Sequence, residues 1–140
     1  MTSKEAKRRL EAAYWLTRRI ESKLVQRDTM RNLAEKVTPV LSDMPKGGMP
    51  SSRVEEMAVK IADIEALIDE DINQLLNTQE ELYQQINALP DPEAVTILEM
   101  RYLGHNTWEE IAERIHTSLR NVHNMHGRAL QLFAEMHSNP

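Results

Sequence analysis

Residues 107–125 read TWEEIAERIHTSLRNVHNM, and this stretch decides the fold of the C-terminal part of the chain. Thr107, with Glu110 three residues later, is typical of a capping box that begins a helix. A short turn follows, after which Ser118 is a second helix cap. Two helices joined by a turn of three or four residues, with the small Ala112 where they cross, are typical of a helix-turn-helix.

Apolar side chains recur on one side of both predicted helices, which indicates that this side packs inward. These side chains are Ile111, Ile115, Val122 and Met125. A further helix precedes them, because Asp91 is a natural cap, Pro92 suits the first helical position, and an apolar pattern continues to Leu103. The sequence therefore predicts a small three-helix unit over 89–140. A plain helical cap without a DNA-binding role shares this outline and stays open as an alternative.

Two long amphipathic helices are predicted over residues 1–88. Apolar residues recur every three or four positions from Leu10 to Leu24 and, after a jump that suggests a stutter or bend, from Met30 to Leu41. A second stripe runs from Met57 to Leu89 with nearly heptad spacing. A Pro- and Gly-rich loop at 42–52 separates them, so they form an antiparallel, coiled-coil-like hairpin. The predicted fold is therefore all-α. Because two helices alone leave apolar surface exposed, we expect the Met57–Leu89 stripe to mediate self-association, with a dimer favoured.

Composition narrows the functional classes. The 140 residues contain no cysteine, and their four glycines form no phosphate-binding loop. No apolar run reaches the ~20 residues of a membrane span, and no signal peptide is recognisable, so a cytoplasmic protein with no membrane partner is expected. No catalytic triad or carboxylate pair is indicated, and neither is a cofactor. His116, His123 and His126 suggest surface or DNA-facing histidines more than a metal site. The chain is therefore not expected to be an enzyme.

Charge is unevenly distributed along the chain. Residues 1–40 carry a net charge of +5, residues 41–88 carry −7, and residues 89–140 carry −3. A basic helix followed by an acidic one predicts that the two lie against each other. Since the whole chain is acidic, any contact with nucleic acid must be local.

The C-terminal motifs resemble region four of bacterial primary sigma factors, which binds promoter DNA through a helix-turn-helix. The resemblance rests on LPDPE at 89–93, LEMRYL at 98–103, TWEEIAERI at 107–115 and GRAL at 127–130. The whole chain is also similar to short phage and prophage proteins that are grouped with phage late-transcription activators. That similarity includes the SDMPKGG segment at 42–48.

The resemblance implies a DNA-binding surface on the second helix of the motif. Arg120 is expected to read guanine, and Asn121 or Asn124 adenine, while Thr107 opens the first helix toward a phosphate. Two departures from the sigma pattern concern Leu119, where a base-contacting arginine is common, and His116, where glycine is usual. The complete predicted set is Thr107, Thr117, Ser118, Leu119, Arg120, Asn121, His123, Asn124 and Arg128.

The resulting functional hypothesis is a phage or prophage transcriptional regulator in the bacterial host cell. Its partners would be double-stranded DNA and host RNA polymerase. Few cations lie on the predicted DNA-binding surface, so one copy of the helix-turn-helix is expected to bind DNA weakly. Dimerisation or a contact with RNA polymerase would supply the remaining affinity. Two alternatives stay open: a DNA-recognition subunit of a phage packaging complex, similar to a small terminase, and a protein-only adaptor of RNA polymerase.

Overall fold

The computed structural model describes the backbone of residues 1–42 and 48–138, and the side chains of residues 1–36 and 52–138. The elements are α1 (Ser3–Ser42), α2 (Gly48–Asn87), α3 (Pro92–Leu98), a π-helix (Glu99–Leu103), α4 (Trp108–Arg114) and α5 (Leu119–Met136). No strand occurs in these described residues, so the all-α prediction is confirmed. None of the described helices is both long and apolar enough to cross a membrane.

The chain divides into two compact units, and α1 and α2 contribute residues to both. The first unit comprises Met1–Leu16 and Leu75–Pro140, and the second comprises Thr17–Gln74. The functional division predicted at residue 88 stays a prediction.

Ion pairs within the Thr17–Gln74 unit show that α1 and α2 run antiparallel. Asp71 of α2 accepts hydrogen bonds from both Arg19 and Lys23 of α1, and its carboxylate is only 2% exposed. Further along α1, Arg31 pairs with Glu65, which lies earlier in α2. As the residue number increases along α1, the number of its partner on α2 decreases, so the two helices are antiparallel. The predicted pairing of the acidic helix with the basic helix is confirmed at these positions.

Four residues of the predicted apolar stripe are buried within the single chain. Ile68, Leu82, Ile86 and Leu89 are at most 5% exposed. Ile72, which the spacing placed in the same stripe, is 38% exposed. The adjacent Asp71 occupies the inward position instead, because it faces the two cations of α1.

The core of the Met1–Leu16 and Leu75–Pro140 unit joins the start of α1 and the end of α2 to the three C-terminal helices. Its largest fully buried side chains are apolar, and their burial removes substantial apolar surface from water. Representative side chains are Leu10, Ile86, Ile97, Leu98, Ile111, Val122 and Phe133.

Side-chain caps fix the start of α1 and, at the predicted Asp91, the start of α3. Thr2 and Glu5 form a reciprocal capping box, with distances of 2.9 and 3.2 Å between each backbone nitrogen and the other residue's side-chain oxygen. Asp91 accepts a hydrogen bond from the backbone N–H of Glu93, at 3.1 Å, and thereby caps α3. Caps satisfy N–H groups that have no partner inside the helix, and each contributes ~1 kcal/mol.

The segment between the two long helices differs from its predicted bounds. α1 continues to Ser42, and α2 begins at Gly48, so both helices extend into the segment predicted as a loop at 42–52. Pro50 is compatible with this early start, because a proline in the first helical turn removes only an N–H that would have no intrahelical partner. The rest of the predicted loop, 43–47, lies outside the described residues.

Candidate nucleic-acid interface

α4 and α5 form the predicted helix-turn-helix around a small apolar centre. Ile111 and Val122 are fully buried, and Ala112 is 8% exposed. Ile115 and Met125 are half-buried against the same cluster. Each helix is capped by the predicted side chain: Thr107 accepts from the N–H of Glu110, and Ser118 from the N–H of Asn121, both at 3.1 Å.

The turn between α4 and α5 contains a left-handed residue. His116 has φ of 55°, a conformation in which glycine is favoured and most side chains are strained. The departure from glycine noted in the sequence is therefore accommodated by histidine in the same backbone region. This turn ends α4 at Arg114 and lets α5 start at Leu119.

The first two turns of α5 present a polar stripe away from the core. The predicted residues Leu119, Arg120, Asn121, His123 and Asn124 are all exposed. Arg120 and Asn124 are four residues apart, so their side chains are neighbours on one helix face. Such a surface offers a guanidinium and amides, the two groups that pair best with guanine and adenine edges.

Asn121 is held by its neighbours at the start of α5. Its Nδ2 donates to Oγ1 of Thr117 at 2.9 Å and lies 3.6 Å from the sulfur of Met125. Thr117 is half-buried and belongs to the turn. Because its amide already donates within the motif, Asn121 has less freedom to contact a base edge than the exposed Asn124.

Arg128 lies further along α5 and pairs with Glu93 of α3. The distance between Nη2 and Oε1 is 3.4 Å, and the Arg128 side chain is 67% exposed. Exposed ion pairs of this kind contribute little to stability. The guanidinium therefore remains accessible to an anion.

A cluster of rings and one guanidinium links the π-helix, α4 and α5. Arg101 lies 4.3 Å from the ring centre of Trp108, and the Trp108 ring contacts those of His123 and His126 at 5.1 and 4.5 Å. Cation–π and edge-to-face contacts of this kind are favourable. Trp108 therefore packs between the π-helix and α5.

His126 was expected at the surface, and this expectation is wrong. The residue is 8% exposed, and its Nε2 lies 2.7 Å from the hydroxyl of the buried Tyr102. Burial is the main cause that lowers the pKa of His126 to about 4, and burial also raises the pKa of Tyr102. A protonated phenol and a neutral imidazole therefore share this hydrogen bond, and the tautomer of His126 sets which of the two donates. The position was detectable in the sequence, because His126 lies one turn after Val122 on the inner face.

The described residues contain no group of three His, Asp or Glu side chains that could hold a metal ion.

Residues 79–133 match a family model described as Sigma-70, region 4. This range covers the end of α2, the whole of α3 and α4, and α5 as far as Phe133. The chain carries a sigma-region-four-like helix-turn-helix. The match indicates a DNA-binding role connected with transcription. No curated protein and no solved structure matches the chain.

Within this sigma-region-four-like module, sequence reasoning missed the side chains that support the exposed stripe. Arg101 donates from Nη1 to the backbone oxygen of Asn106 at 3.0 Å while it lies over Trp108. Tyr102 bonds His126 across 24 residues. Neither partner follows from local spacing, since the π-helix alters which side chains share a face.

Proposed function

We propose that this protein is a phage or prophage transcriptional regulator that binds double-stranded DNA through α5. The observation that carries the proposal is the exposed stripe Arg120, His123 and Asn124 on a capped helix inside a sigma-region-four-like module. The phage origin rests on the similarity of the 42–48 segment to short phage proteins.

Base contacts are assigned to Arg120 and Asn124, and backbone contacts to Arg128 and Thr107. Arg120 and Asn124 are exposed and adjacent on one helix face, whereas Arg128 lies two turns beyond Arg120. A bidentate contact to a base edge discriminates by ~1–3 kcal/mol, and a phosphate contact acts on all sequences alike. Leu119, 41% exposed, is suited to contact a thymine methyl group.

Contact with host RNA polymerase is part of the proposal because the α5 surface offers few cations. Phosphate neutralisation supplies most non-specific affinity, and Arg120 and Arg128 are the only lysine or arginine residues in α5. A second binding surface raises the effective concentration of the module at its site.

The test is equilibrium binding of the purified full chain to duplexes selected from a random library. Arg120→Ala or Asn124→Ala is expected to lose ~1–3 kcal/mol on the selected site and little on random DNA. Arg128→Ala is expected to weaken both equally and to reduce the salt slope by ~1. Arg53→Ala removes an equal charge from the start of α2 and serves as the control. If no duplex is selected, with or without RNA polymerase, the proposal fails and the protein-only adaptor takes its place.

A further inference from the structure

A cavity of about 400 Å³ lies within the Met1–Leu16 and Leu75–Pro140 unit, between α1 and the turn that precedes α4. Its size is that of a small-molecule site. Aromatic rings and a few charged or polar groups form its walls. The lining residues are Glu11, Tyr14, Trp15, Arg101, Tyr102, His105 and Thr107.

The aromatic wall is preformed but incompletely covered. Tyr14 contacts Trp15 edge to face at 5.3 Å and His105 at 6.0 Å between ring centres. Trp15 nevertheless remains 64% exposed. An indole left so open beside a cavity, and supported by the ring of Tyr14, is a suitable surface for a planar group to stack on.

The wall opposite α1 is formed by the π-helix and the turn that follows it, and the backbone there is unusual. The π-helix Glu99–Leu103 leads into Gly104, where an added Cβ would lie 2.8 Å from Nδ2 of Asn106. Asn106 is 8% exposed, and both its backbone nitrogen and its Nδ2 donate to the oxygen of Met100. His105 follows Gly104 with φ of 54°. π-Helical turns and left-handed side-chain-bearing residues concentrate at functional sites.

The charged groups of the cavity are complementary to both ends of a nucleotide. Among the described residues no carboxylate pairs with Arg101. Its guanidinium uses Nη1 for the oxygen of Asn106 and retains further N–H donors. The Thr107 hydroxyl accepts from Glu110 and still has its own O–H to donate. Together they suit a phosphate.

Glu11 supplies the feature that distinguishes one base from another. A carboxylate accepts two hydrogen bonds side by side, and guanine offers two adjacent donors, N1–H and the N2 amino group, on its Watson–Crick edge. Adenine offers only its amino group there. We propose that this cavity binds a guanine nucleotide, either free or as an unstacked residue of a single strand. The base stacks on Trp15, Glu11 accepts from its edge, and Arg101 with Thr107 holds the phosphate.

Calorimetric titration of the full chain with guanosine monophosphate tests the proposal, with adenosine monophosphate and inorganic phosphate as comparison ligands. Guanosine monophosphate is expected to bind saturably, and both comparison ligands are expected to bind at least tenfold more weakly. Trp15→Ala is expected to weaken binding about tenfold or more, as loss of base stacking does, whereas Trp15→Phe retains it. Glu11→Gln is expected to abolish the preference for guanine over adenine.

Two further arms identify the source of the nucleotide. A single-stranded oligonucleotide with one guanine is compared with the mononucleotide and with the same strand in a duplex. Tighter binding of the strand that depends on Trp15 assigns the site to nucleic acid, and equal binding assigns it to free nucleotide. The proposal is overturned if neither form binds, if phosphate binds as well as the nucleotide, or if Trp15→Ala binds normally. Duplex binding by α5 is measured separately, so the two proposals fail independently.

Discussion

At the scale of single residues, the two tryptophans Trp108 and Trp15 differ in burial and therefore in their expected contribution to stability. Trp108 is half-buried, with Arg101 over its ring and two imidazoles against it, whereas Trp15 is 64% exposed. Trp108→Ala is expected to lower the free energy of unfolding by ~3 kcal/mol, near the lower end for large aromatics. Trp15→Ala is expected to change it by less than ~0.5 kcal/mol. Urea denaturation of both variants is the measurement, and equal losses would contradict the assigned packing.

His126 predicts a pH dependence of stability. Its pKa is about 4 in the folded protein and 6.5 in an unfolded chain, so the unfolded state binds the proton first as pH falls. The stabilisation by neutral His126 is therefore complete above pH 6.5 and is lost progressively as pH falls toward 4. The melting temperature is expected to fall over this range more steeply for the wild type than for His126→Gln. Parallel curves for the two proteins would contradict this assignment.

At the scale of elements, Asp71 joins the two helices of the Thr17–Gln74 unit. Hydrogen bonds from Arg19 and then Lys23 lower the pKa of its carboxyl. Asp71→Asn keeps the shape but removes the charge that both cations face, so a lower melting temperature is expected. Asp69→Asn, on an exposed neighbour, is the control. The measurement is thermal unfolding followed by circular dichroism. Equal melting temperatures for the wild type and Asp71→Asn would show that the contacts of Asp71 with Arg19 and Lys23 do not stabilise the two helices.

Elements governed by local rules were predictable from the sequence. The caps at Asp91, Thr107 and Ser118 depend only on residues two or three positions away, and the structure confirms them. The exposure of Arg120 and Asn124 also followed from periodicity, once Val122 defined the inner face. Their role toward DNA stays a prediction.

Features that depend on distant partners were not predictable. Asp71 replaces Ile72 at the inward position because its cations lie 48 and 52 residues away. The apolar pattern of Glu99–Leu103 is compatible with an α-helix as well as with a π-helix, so the pattern alone does not distinguish the two. The cavity near Trp15 joins residues separated by some 90 positions, and no spacing within either segment indicates it.

At the scale of the whole molecule, self-association remains a prediction, but the buried residues of the Met57–Leu89 stripe are not available to mediate it. Ile68 and its buried neighbours are already covered within one chain, so charged substitutions there would test folding. Leu76 and Tyr83, seven residues apart on α2, are 58% and 56% exposed and are the better candidates.

Sizing with light scattering is expected to show a dimer at micromolar concentration and a monomer for Leu76→Glu. Val25→Glu, on an exposed position of α1, is the control. A monomeric wild type would contradict self-association, and a ring of many subunits would favour the packaging alternative.

The central claim, that α5 directs the protein to specific DNA in the cell, is tested most directly by a genome-wide DNA pull-down in the host. The wild type and the double variant Arg120→Ala, Asn124→Ala would be compared at equal abundance. We expect a few discrete sites upstream of genes in the wild type, and their loss in the variant with the protein still folded. Enrichment that is absent in the wild type, or that persists unchanged in the variant, would contradict the account.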